Sequence, residues 1–391
     1  MKMVRTKHLI LALSGPFVVY SILGGLLGRV LAKDSAYRYL SVFQDVVTLI
    51  LNNYVDPVEV DSVMEGAIRG MMEALDPDSC YLSPEEFRAY QDRGEKDLPG
   101  IGIEVTKGYY LQVVAVLPGS AGERAGLRPG DMLKSVDGRN TRDVNVIVGE
   151  SLLRGHPGST VALQVVRGRQ PEPIELSVKR EIYASAPVAY KMLTEDTGYI
   201  HVSSLRRGTA DEVARSVERL RREKASRLVL DLRNSFGRRA EEGARVAELF
   251  VSGGLAAKLE RRNGDKSALE LSADRVIFRG PLAVLVNHAS SGAAEILAAA
   301  IAHAGRAEVV GETTSGRAAL QRTIPLGDGS GLVLSVSQYW SPDDKPLLGS
   351  GMEPSVKVRE PRREEDRRGD PILEKALELL ASDEGQSKVA A

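Results

Sequence analysis

The stretch from Pro281 to Arg317 limits what this chain can fold into more than any other. Leu282 to Val286 is a short unbroken run of Leu, Ala and Val, the pattern of a buried strand. Asn-His-Ala-Ser-Ser-Gly then leads into Ala293 to Ala304, almost all Ala, Ile and Leu, which predicts a helix covered on most sides. A second apolar run, Ala307 to Val310, predicts another strand, closed by Gly311-Glu-Thr-Thr-Ser-Gly-Arg317. Strand, turn, helix and strand in that order predict a parallel sheet. A turn from a buried strand into a helix holds a side chain exposed beside unpaired N–H donors, which suits a nucleophile. Here that turn carries Ser290, Ser291 and Gly292.

Three blocks, "VNHASSGAAEI", "GETTSGRAALQ" and "SPDDKPLLGSGMEP", resemble the core motifs of the carboxyl-terminal processing, or tail-specific, serine peptidases. The resemblance extends from Tyr37 to Leu380 in the family's domain order and implies a Ser-Lys variant of triad chemistry. Anchored on Glu295-Ile296, the family's nucleophilic serine falls on Gly292 and its lysine base on Arg317. Gln321 matches a glutamine that helps orient the lysine. Asp231-Leu-Arg-Asn-Ser-Phe-Gly-Arg238 resembles the family's Asp-Leu-Arg-Asn-Asn-Pro-Gly-Gly, whose glycine N–H groups contribute to the oxyanion hole. Gly237 is kept there, but Arg238 replaces the second glycine and Arg239 follows. Asp78 stands where the family has the histidine of Asp-Pro-His-Ser.

These departures remove the ordinary mechanism. Glycine carries no nucleophile, and arginine stays protonated at neutral pH and cannot accept a proton. Loss of the nucleophile alone costs about a million-fold in turnover in a serine peptidase. Ser290 and Ser291 are the alternative nucleophiles, but a one-residue slip at a helix start turns the side chain by about 100°. His288 reads as a loop histidine with no carboxylate beside it in sequence. Arg317 is expected either to capture a ligand carboxylate or to pair with an acid such as Glu312. Arg238 and Arg239 read either as bulk entering the oxyanion site or as the solvated start of the next helix.

The 391 residues suggest several domains. A formal net charge of -1 excludes nucleic-acid binding through bulk charge. The single cysteine, Cys80, excludes an internal disulfide, and no metal-ligand pattern or cofactor motif is present. Lys2, Arg5 and Lys7 precede an uncharged run from Leu9 to Gly28, so residues 1–33 read as a signal peptide or membrane anchor. Val30-Leu31-Ala32 resembles a cleavage site. The rest is expected on the extracytoplasmic side, anchored in the inner membrane and facing the periplasm, or secreted after cleavage. Residues 34–97 follow a helical pattern, with apolar faces at Val42, Val46, Val47, Leu49 and Ile50, then Val63, Ile68, Met71 and Met72. Such helices either pair two chains, with itself or an active paralogue, or pack on the core.

Residues 98–182 resemble a PDZ domain, a β-fold with two helices, through Gly100-Ile-Gly-Ile103 and "PGSAGERAGLRPGDMLKSVDG". The resemblance implies capture of a polypeptide C-terminus, with backbone N–H groups of Gly100, Ile101, Gly102 and Ile103 binding the carboxylate. Ile101, Ile103, Val148 and Leu152 are expected to select an apolar last residue. Residues 183–358 alternate strand and helix and give the α/β peptidase core. Residues 359–391 read as a charged linker, a short helix and a tail. The whole is a multidomain α/β chain with an N-terminal membrane segment.

Three functions fit. The first is an exported, membrane-associated, non-catalytic binder of polypeptide C-termini, acting as adaptor, scaffold or regulator. The second is a serine endopeptidase cleaving near C-termini with Ser290 or Ser291 as nucleophile. The third is a structural subunit whose groove is blocked.

Overall fold

The computed structural model describes residues 38–93, 99–117, 119–168, 172–182, 188–359 and 369–382. The expected membrane segment, most of the charged linker and the tail lie outside these residues. Among the described residues no helix is long and apolar enough to cross a membrane.

Residues up to Met71 form one unit and Met72 onward another. In the first, residues 38–53 are helical (α1), and α2 (Val60–Glu73) begins. Their apolar faces are largely open to solvent: Leu40 is 60% exposed and Leu49 61%.

In the second unit the expected helical pattern is interrupted by β1 (Cys80–Leu82), all three residues of which are buried. The signal is too short for periodicity to reveal, because three residues become a strand only through the sheet that receives them. α3 (Pro84–Arg93) then starts on a capping box: Ser83 Oγ accepts from the Glu86 N–H, and Glu86 accepts in return from the Ser83 N–H.

The PDZ domain comprises β2 (Ile103–Lys107), β3 (Leu111–Val116), α4 (Ala121–Arg124), β4 (Met132–Val136), β5 (Arg139–Asn140), α5 (Val146–Leu153), β6 (Thr160–Val166) and β7 (Ile174–Lys179). Its antiparallel sheet runs β2-β3-β4-β6-β7, with β5 on β4, so β2 is an edge strand. Asn145 caps α5 by accepting from the Val148 N–H. The helix can lie this close because Gly149 has no Cβ; one there would stand 2.3 Å from Leu111 Cδ1.

The core comprises β8 (Val188–Met192), β9 (Thr197–Val202), α6 (Thr209–Arg222), β10 (Arg227–Asp231), β11 (Phe236–Gly237), α7 (Ala240–Ala247), β12 (Gly254–Arg261), β13 (Lys266–Leu271), β14 (Leu282–Val286), β15 (Ser291–Gly292), α8 (Ala293–His303), β16 (Glu308–Gly311), β17 (Ala319–Pro325), β18 (Gly331–Trp340), β19 (Val356–Lys357) and α9 (Pro371–Ala381). Its main sheet runs β19-β16-β14-β10-β9-β8 and is parallel except for β8. Successive residues of β10 face opposite sides. Leu228 and Leu230 pack in the cluster shared with α6, α7 and α8, whereas Val229 packs in the cluster formed with Ile372, Ala376 and Leu380 of α9. A second, antiparallel sheet of β1, β18, β12 and β13, with β17 also on β18, was not evident from alternation of strands and helices.

Candidate active site

The site follows from three adjacent parallel strands. Asp231 of β10 lies level with Leu285 of β14, and Val286 of β14 with Gly311 of β16. The chain leaving their C-terminal ends supplies residues 232–238, 287–292 and 312–317, and in open parallel sheets such ends carry the functional loops. Hydrogen bonds knit the loops together. Asn287 Oδ1 accepts from the Asn234 N–H at 3.0 Å, and its Nδ2 donates to Asn234 Oδ1 at 3.1 Å.

Of the two candidate serines, Ser290 is a strut. Its fully buried hydroxyl donates to the Leu232 carbonyl at 2.7 Å and accepts from the Asn287 N–H at 3.0 Å. Ser291 donates its N–H to the Ser235 carbonyl at 2.8 Å, and its buried hydroxyl has no hydrogen-bond partner. At Gly292 the backbone has φ +62° and ψ -114°. The parallel pairing of β11 with β15 sets Gly237 opposite Gly292, and a Cβ on Gly292 would stand 2.2 Å from the Gly237 carbonyl oxygen. A serine side chain therefore requires that the Gly237 peptide turn away. Gly237 thus aims its carbonyl, not a donor, at the position where the resemblance sets the nucleophile.

Glu295 holds the turn to the base loop. One carboxylate oxygen accepts from the N–H groups of Gly292 and Arg317 at 2.8 Å each, the other from the Gly316 N–H at 2.7 Å and the Thr314 hydroxyl at 2.6 Å. Burial pushes its carboxyl upward, opposed by these donors. The Gly-Ser-Gly segment packs on the same loop: the Gly349 N–H donates to the Gly316 carbonyl, and the Met352 N–H to Thr314 Oγ1.

Arg317 points inward and meets Asp78. Its Nε donates to Asp78 Oδ2 at 2.8 Å, and a terminal nitrogen donates to Oδ1. The side chains are 8% and 20% exposed. Gln321 Nε2 donates to the Asp78 backbone carbonyl at 2.9 Å, so the glutamine braces the acid that neutralises the arginine. The expected alternative partner, Glu312, is engaged elsewhere: its carboxylate lies 3.1 Å from Nδ1 of His288. A carboxylate thus does stand beside His288, brought there by folding across 24 positions.

Comparison with known proteins agrees with this architecture. The profile of Peptidase family S41 matches residues 196–358, that of a PDZ domain 112–167, and that of the activating protease CtpB N-terminal domain 29–86. The chain is 30% identical over 315 residues to the carboxy-terminal processing protease CtpA of Bacillus subtilis (strain 168), covering 80% of this chain and 67% of that protein. The chain belongs to peptidase family S41. The chain is likewise 30% identical over 332 residues to the carboxyl-terminal-processing protease of Picosynechococcus sp. (strain ATCC 27264 / PCC 7002 / PR-6), covering 82% of this chain and 80% of that one. Among solved structures, a photosystem II D1 C-terminal processing protease superposes with a TM-score of 0.67 at 25% identity, covering 87% of this chain and 91% of that chain.

In this S41 chain Arg238, which the resemblance sets at the second oxyanion glycine, is 41% exposed but not free in solvent. It extends to the PDZ domain, where its guanidinium donates to Glu150 of α5. Arg239 takes the residue position before α7. The ring of Phe236 lies 5.8 Å from the Arg238 guanidinium carbon and 5.7 Å from that of Arg317. Glu150, Arg238, Phe236, Arg317 and Asp78 thus form a continuous series from the PDZ helix to the base position.

The expected peptide-binding residues lie as follows. The Gly100 N–H donates to the Glu181 carbonyl at 3.0 Å. Gly102 has φ +72° and accepts from the Leu117 N–H. Ile101 and Val148 are buried in the PDZ core, whereas Ile103 and Leu152 are half-buried. Sequence reasoning missed Glu150 and Glu104, and it noted Asp78 without seeing its partner. The available signal was that the two altered positions, 78 and 317, carry opposite charges.

Proposed function

We propose that this S41 chain binds polypeptide C-termini through its PDZ domain and does not cleave them. The observation that carries the reading is the Arg317–Asp78 pair. The base position is filled by a permanent cation, itself neutralised by a carboxylate, opposite a glycine that carries no nucleophile. Around this pair Glu295 ties the two loops together, which favours a structured cleft without proton-transfer groups. The chain acts as an adaptor, scaffold or regulator of an active relative on the extracytoplasmic side of a membrane, held there by residues 1–33. The exposed apolar residues Leu40 and Leu49 of α1 supply a surface for pairing with that relative or a second copy.

The rival reading, a peptidase with a displaced nucleophile, rests on the unpartnered Ser291 hydroxyl. Incubating the native chain with an unfolded polypeptide that ends in an apolar residue, with products read by mass spectrometry, decides between them. An inert native chain that still binds the polypeptide supports the proposal. Cleavage by the native chain that disappears in Ser291→Ala overturns it.

A further inference from the structure

The edge strand β2 and the helix α5 pack beside one another and frame the PDZ groove, where an extended chain can add as a further strand. Each of the two elements carries a carboxylate, and the charge of one acts on the other. Glu104 lies on β2 and Glu150, 13% exposed, on α5. Burial, and after it the charge of Glu150, pushes the Glu104 carboxyl up to about 7. The guanidinium of Arg238, arriving from the peptidase core, serves both: it donates to Glu150, and its charge opposes the rise at Glu104. Arg154 and Arg206 contribute smaller favourable charge to Glu104.

We infer that Arg238 is a self-supplied stand-in for a ligand side chain, and that the groove takes a polypeptide C-terminal segment bearing an arginine or lysine shortly before its end, which replaces Arg238 on Glu150. This rests on the peptide-binding reading above and adds the class of ligand. The reason is charge conservation. Exchange of one cation for another keeps Glu150 paired, whereas an apolar segment that pushes Arg238 aside leaves a largely buried carboxylate alone, which is the costly outcome. Arginine suits the site better than lysine, because its planar fork can donate two parallel hydrogen bonds to one carboxylate. The expected apolar selection concerns the last residue. An inner position is read by charge.

The test is a fluorescence-polarisation titration of the full chain with short labelled peptides that share one apolar C-terminal residue and a free carboxylate. A single arginine is moved through the inner positions of an otherwise alanine sequence. At one position the arginine peptide is expected to bind at least about tenfold tighter than the all-alanine one. Arg238→Ala should strengthen binding of every peptide, by removing the internal competitor, and keep the preference. Glu150→Gln, nearly the same shape without the charge, should erase the preference and leave the all-alanine peptide bound. Equal affinities across the scan in both the native and Arg238→Ala chains would overturn the charge reading while leaving peptide binding intact. Failure of every peptide to bind either chain would overturn the peptide-binding proposal itself.

Discussion

The guanidinium of Arg317 lies on the carboxylate of Asp78, 239 positions earlier in the chain, and both side chains are mostly buried. Removing one partner of such a pair leaves an uncompensated charge in a poorly solvated place, at a cost of about 3–5 kcal/mol. Arg317→Met and Asp78→Leu should each destabilise the chain by that order in urea titrations. The double replacement should recover much of the loss, because it leaves no orphan charge. Additive losses in the cycle would show that the two residues act independently.

Restoring only the dyad should not restore peptidase activity. A serine at 292 meets the Gly237 carbonyl, and a lysine at 317 would be held protonated by Asp78, which favours its charged form. Gly292→Ser with Arg317→Lys is therefore expected to be inert toward an unfolded polypeptide. Adding Asp78→His, Ser235→Asn, Phe236→Pro and Arg238→Gly rebuilds the family pattern at both obstacles and should give measurable cleavage. Activity in the two-residue variant alone would show that the Gly237 peptide turns freely.

Glu295 should matter for stability whatever the chain does. Its carboxylate takes three backbone N–H groups and one hydroxyl at buried positions, and each donor left unpaired costs about 1–3 kcal/mol. Glu295→Ala is expected to unfold the chain at room temperature or to lower its melting temperature by more than any other change proposed above. Glu295→Gln, which keeps the shape and one of the two acceptor oxygens, should cost less. A melting temperature unchanged in Glu295→Ala would remove this residue as the tether.

Stability should also depend on pH through Glu104. Its carboxyl is raised from 4.5 to about 7 in the folded chain, so the folded state holds that proton more tightly than the unfolded one. The resulting stabilisation is present at acid pH and is lost as the pH rises from about 4.5 to about 7. Glu150 and Arg238, with Arg154 and Arg206, are the charged groups that set this value. In thermal melts followed by circular dichroism, the native chain should lose more stability over that range than Glu104→Gln does. Parallel pH profiles would mean that Glu104 titrates as an ordinary exposed carboxyl.

Much of the fold could be read directly from residue order. The Leu282–Val286 strand and the Ala293–His303 helix after it are set by local composition. Within the antiparallel sheet of β1, β12, β13, β17 and β18, the Gly331–Ser337 run of β18 reads as a strand by itself, but the pairing could not be read this way, since tertiary contact chooses the partners and three-residue β1 carries no period.

The same division holds for the site. The sequence by itself determined that Gly292 has no nucleophile and Arg317 no basic lone pair, because those are properties of the side chains alone. Only the tertiary structure decided that Arg317 turns inward to Asp78, that Glu312 serves His288, and that Arg238 spans to Glu150. A charged side chain takes whichever opposite charge the fold brings within reach, and which one that is depends on how three parallel strands and a distant PDZ helix converge, not on spacing along the chain.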